Sequence, residues 1–110
     1  MAAGALSAVA NPAASTTDGV VVAAVAGNRI VVTGAVVMAA GTATDLTFNT
    51  KPGGAGSAIS PLFAQGVRTP VVLPYNPAGW FRTGVGEGLS VTTAAGSASA
   101  VLVTYVLEPV

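Results

Sequence analysis

From Asp18 onward, short apolar runs written mostly in valine and threonine alternate with glycine- and proline-rich breaks. Glu, Lys and Gln, which favour helices, are nearly absent, so the runs predict strands. Residues 20–26 form the first, closed by Gly27-Asn28, a pair that tolerates positive φ. Residues 29–38 predict a longer strand in which Gly34 marks a bulge or bend. Residues 44–50 alternate cleanly, with Leu46 and Phe48 on one side and Asp45, Thr47 and Asn49 on the other. A loop at 51–57 follows, then short strands at 59–63, where Pro61 implies an edge, and at 69–73, ended by Pro74. The turn Asn76-Pro77-Ala78-Gly79 leads into residues 80–83, and strands at 88–93 and 98–107 complete the set. About eight strands at this spacing predict an all-β chain folded as a single β-sandwich, with a jelly roll as the preferred topology.

Residues 1–17 read differently. They carry no charge and hold seven alanines. The chain therefore divides into an extended N-terminal arm, 1–17, and a sandwich domain, 18–110. Ala8-Val9-Ala10 resembles a signal cleavage site, but no Lys or Arg precedes it and the apolar stretch is weak, which disfavours a secretory signal. Two placements stand open for the arm: against a neighbouring subunit, or folded back on its own domain.

Two places in the strand text raise a question of surface. Trp80 and Phe81 are adjacent on a strand and must point to opposite faces, so one of them faces away from the core. Trp80 either plugs one end of the sandwich or anchors a partner, with Arg82 beside it. On the last strand, Ala98, Ala100, Leu102, Thr104 and Val106 share one face, and Val101, Val103, Tyr105 and Leu107 the other. An antiparallel sheet in water normally keeps one face polar. Neither face here carries a charge. The bulkier Val101 face predicts the core and the Leu102 face a covered surface. The candidate partner-binding residues are accordingly Asn11 and Pro12 in the arm, Trp80 and Arg82, and Leu102.

Composition sharpens this. Hydrophobic residues make up 52% of the 110, yet 22 are Ala and 18 Val, while charged residues are only 7%. An ordinary soluble domain carries roughly 25%. Four basic and four acidic residues cancel, leaving no field to steer nucleic acid or to hold an anionic membrane. The most apolar stretch, 20–40, is interrupted by Asn28 and Arg29, which argues against a membrane span. With no Cys and no His, disulfides, thiolate and imidazole metal sites and His-based nucleophile activation are excluded. Asp18, Asp45, Glu87 and Glu108 are scattered, and the glycine cluster 84–88 lacks the setting of a phosphate loop, which predicts a tight turn instead. No catalytic residue, cofactor or metal is expected. So poor a supply of charge predicts a surface covered by other proteins.

The text Leu73-Pro74-Tyr75-Asn76-Pro77-Ala78-Gly79-Trp80-Phe81, followed by Gly86-Glu87-Gly88-Leu89 and Val101-Leu102-Val103-Thr104-Tyr105-Val106, resembles a group of small structural proteins of tailed phages. These are head decoration, or cement, proteins with a jelly-roll-type sandwich. The likeness spans residues 20–106 and leaves the arm outside. It implies a virion protein on the capsid outer surface, homotrimeric, that bridges neighbouring major capsid proteins against the pressure of packaged DNA. Related small sandwiches serve as tail or baseplate parts. A carbohydrate- or receptor-binding module is the alternative of a different class, with Trp80, Asn76 and Arg82 as its one plausible site.

Overall fold

The computed structural model describes residues 5–52 and 56–109, none of them helical. Nine strands arise in chain order: β1 (Leu6–Ala10), β2 (Gly19–Val22), β3 (Asn28–Ala39), β4 (Thr44–Thr50), β5 (Phe63–Gln65), β6 (Val71–Leu73), β7 (Phe81–Arg82), β8 (Leu89–Thr93) and β9 (Ser99–Pro109). They form two antiparallel sheets. Sheet A runs β1-β9-β3-β6, with β7 beside β6 on the same flank of β3, and sheet B runs β2-β8-β4-β5. Pairing is nested: the first strand with the last, the second with the eighth, the third with the sixth and seventh, the fourth with the fifth. The expected all-β sandwich is the fold of this chain.

The sheets close on a core of Ile30, Val32, Val37, Leu46, Phe48, Leu89, Val91, Val101 and Val103. Phe48 sits at its centre, edge-on to Phe63 with ring centroids 6.2 Å apart and tilted against Phe81 at 5.0 Å. Leu46 and Phe48 face inward, as the alternation of β4 predicts.

Departures from the expected strand ends have local causes. The strand expected at 20–26 stops at Val22, because its register with β8 slips after Val20 and the chain must then cross to sheet A. That crossing ends in a turn with Gly27 at φ 74° and Asn28 N–H donating to Val25 C=O. The strand expected at 59–63 shifts to 63–65. Residues 58–60 still follow β4, through Ile59 N–H to Phe48 C=O and Phe48 N–H to Ser60 Oγ, but Pro61 has no N–H to continue a ladder. The expected bulge in β3 is present where pairing with β9 skips Thr33. Of the loop expected at 51–57, residues 53–55 lie outside the described residues. Gly84–Gly88 is a turn, with Glu87 N–H bonded to Gly84 C=O.

Of the two placements open for the arm, residues 5–17 take the one on their own domain. β1 pairs with β9 from Leu6↔Tyr105 to Ala10↔Val101. Beyond it, Ser99 N–H donates to Pro12 C=O, Ser15 N–H to Ala94 C=O and Thr93 N–H to Thr16 C=O. The arm is thus the edge strand of sheet A and a strap across the end of the sandwich.

Candidate partner-binding face

The two sheets treat their outer faces differently. On sheet B the outward positions of β4 and β8 are polar, Asp45, Thr47, Asn49, Ser90 and Thr92, although Asn49 and Ser90 are covered and Val20 on β2 beside Ser90 is apolar and exposed. Several are tied together: Asn49 Nδ2 donates to Asp18 Oδ1 at 3.0 Å and to Thr92 Oγ1, and Gly56 N–H reaches Asp18 Oδ2 at 3.3 Å. Gly56 is obligatory here, since a Cβ would collide with Thr50 C=O.

Sheet A is apolar outside as well as inside. The register places Val9 opposite Leu102, Leu102 opposite Val36, and Val36 opposite Val72. These four side chains form one row across the whole sheet. Val9 is 70% exposed, Val72 56% and Leu102 43%. Met38 and Ala100 stand opposite each other one step along, again apolar. On the other side of the row, Gly34 opposite Thr104 leaves a shallow notch. Charge is confined to the ends of this face. Arg29 and Glu108 pair across β3 and β9 at 3.6 Å, Arg82 lies beside Val31, and Arg68 donates through Nε to Ala40 C=O at the far end. An apolar centre with a charged rim is the anatomy of a protein contact surface. A patch of this kind on a sheet normally marks an interaction site.

The five candidate residues fall in different parts of sheet A. Leu102 is at the centre of the row, and Val101 and Val103 face the core as the alternation of β9 predicts. Asn11 and Pro12 lie where the chain leaves β1, with Pro12 held to the start of β9. Trp80 and Arg82 lie on the opposite flank, beyond β3. Of the adjacent aromatics, Phe81 enters the core against Phe48, and Trp80 turns outward, 45% exposed. Core plugging by Trp80 is therefore corrected: the backbone N–H of Trp80 is held by Val32 C=O, which fixes the alternation and gives the core to its neighbour. The indole N–H donates to Pro74 C=O at 2.7 Å and Arg82 Nη2 to Ala78 C=O at 3.0 Å. Asn76 is spent inside its own turn, accepting from Ala78 N–H and donating to Gly79 C=O. The structure does not bring Asn11 and Pro12 together with Trp80 and Arg82.

Sequence reasoning missed Val9, Val36 and Val72. The signal for Val9 is Leu6-Ser7-Ala8-Val9-Ala10, a period-2 text muted by alanine, whereas Val36 and Val72 join it only through cross-strand register. Comparison with family models, with curated proteins and with solved structures finds no match for this chain.

Proposed function

We propose that this chain is a non-enzymatic structural protein of a phage virion that decorates the capsid and cements neighbouring major capsid proteins. The observation that carries the reading is the outer face of sheet A, where an apolar row, three of its four residues exposed, crosses β1, β9, β3 and β6, while β4 and β8 of sheet B turn polar residues outward. A surface of that kind suits a permanent contact, in which the apolar row is withdrawn from water. The nested strand pairing supports reading the sandwich as a jelly roll, a winding shared by viral capsid and lectin domains. Since a winding alone assigns no function, the reading is supported chiefly by the face. The carbohydrate alternative is weaker. The indole N–H of Trp80 and the amide of Asn76 are already engaged by a backbone carbonyl and by their own turn, and Arg82 donates through Nη2 to Ala78 C=O.

Imaging the native particle of the phage that encodes this chain tests the proposal. The expected result is density for the sandwich on the outer capsid surface, with sheet A turned toward the major capsid protein. Density in the tail or baseplate, or its absence from the particle, would overturn it.

A further inference from the structure

All eight charged side chains of this chain lie among the described residues. Four of them cancel in pairs, Arg29 with Glu108 at 3.6 Å and Lys51 with Glu87 at 3.5 Å. The other four are sorted by sheet. Asp45 points outward from β4, and Asp18 is tied to the outward Asn49 of the same strand. Arg82 and Arg68 lie on the sheet A side, along the flank of β3 that carries β6 and β7. Arg82 stands opposite Val31, and the backbone N–H of Arg68 is held by Ala39 C=O. The stretch of β3 between these anchors spans roughly 25 Å at about 3.3 Å per residue. Between the two arginines, along the same flank, stand Trp80, Tyr75 and Val72, all exposed. Trp, Tyr and Arg are the residue types enriched where binding energy concentrates. A chain of zero net charge thus has a cationic apolar face and an anionic polar one.

We infer that the outer face of sheet A docks on a protein surface whose apolar strip is flanked by carboxylates, one for Arg68 and one for Arg82. The inference rests on the capsid reading and names the chemistry of the site that the major capsid protein would offer. Charge selects this occupant. A second copy meeting face to face would set Arg68 against Arg82, or both against β1, which carries no charge. Sheet B of a second copy offers Asp45, but its Thr47 and Thr92 would be pressed dry against the apolar row. An anionic membrane draws clusters of about four to eight basic residues, whereas these two stand alone at the ends of a long flank. Arginine suits a carboxylate because its planar fork meets both oxygens. Each guanidinium is already oriented by one backbone carbonyl, Arg68 Nε on Ala40 at 3.3 Å and Arg82 Nη2 on Ala78 at 3.0 Å. Among the described residues no other acceptor takes their remaining N–H groups, and both side chains are exposed.

The test is the association rate of the purified chain with capsids that lack it, by surface plasmon resonance at rising NaCl. Rim charges act chiefly on this rate and on its salt dependence. Wild type is expected to associate at least about fivefold more slowly at about 0.5 M NaCl than at about 0.02 M, as screening shortens the reach of the charges. Arg68→Glu with Arg82→Glu, folded by circular dichroism, should associate at least about tenfold more slowly than wild type at low salt. Arg68→Lys with Arg82→Lys should stay within about threefold of wild type, and Asp45→Asn on the other face within about twofold. A folded Glu variant that associates as fast as wild type overturns the inference and leaves the capsid reading standing. An Asp45→Asn effect as large as that of the Glu variant also overturns it, because total charge and not the face would then set the rate. Wild type that binds no capsid at any salt overturns the capsid reading and the inference together. Binding to phosphatidylglycerol vesicles, or a mass above one chain, that the Glu variant loses would give the face to a membrane or a second copy and overturn the inference. If the Glu variant fails to fold, wild type decides, and a rate indifferent to salt overturns it.

Discussion

Leu102 and Val103 are neighbours on β9 with opposite surroundings. Val103 is fully buried among Val101, Ala35 and the core of sheet B, while Leu102 stands in the exposed row. A carboxylate at Val103 would be a buried charge with no partner, so Val103→Asp should cost on the order of 3–5 kcal/mol and leave little folded protein by circular dichroism. The same contrast separates Phe81 from Trp80. Phe81→Ala removes a ring packed on Phe48 and should cost about 3 kcal/mol in urea unfolding, whereas Trp80→Ala should cost clearly less. Gly79 is a third such position. Its φ is 87°, and a Cβ there would run into Val31 Cγ1, so Gly79→Ala should destabilise by about 1–3 kcal/mol. These assignments were only partly legible in the sequence. The alternation rule told which residues share a face, and for β4 and β9 also which face is inner, because bulk separates the two sides. For Trp80 and Phe81 both sides are bulky, and the choice is made by a backbone hydrogen bond to β3 that no local pattern announces.

At the level of elements, the first strand is the clearest case of structure hidden from sequence. Ala8 and Ala10 pack on the core and Ser7 and Val9 point outward, but alanine is too small to give the alternation any amplitude. What makes β1 a strand is the free flank of β9, nearly a hundred residues away. Deleting residues 1–17 removes this pairing together with the backbone hydrogen bonds of Pro12, Ser15 and Thr16. At about 1 kcal/mol for each lost bond, three bonds alone predict a loss of roughly 3 kcal/mol. Melting should therefore fall by at least about 10 °C, since a domain of this size loses several degrees per kcal/mol. An unchanged melting temperature would contradict the role of the arm as an edge strand and strap. The row Val9–Leu102–Val36–Val72 was illegible for a related reason: it depends on cross-strand register, and the bulge at Thr33 shifts that register by one residue within β3.

Taken as a whole, the molecule is a sandwich with one largely polar outer face and one largely apolar one, made by a chain with very few charges. Composition predicts a surface poor in charge, and the apolar part of it lies on the outer face of sheet A. Arg29, Glu108, Arg82 and Arg68 stand at its ends, where a contact rim would leave them in water. Leu102→Asp puts a charge at the centre of this face without touching the core. As a surface change it should shift stability by less than about 1 kcal/mol. The decisive measurement is binding of purified Leu102→Asp and wild type to capsids that lack this protein, with folding of both checked by circular dichroism. A folded Leu102→Asp that no longer binds, beside a wild type that does, is the predicted result. A folded Leu102→Asp that binds as well as wild type would contradict the assignment of this face to assembly.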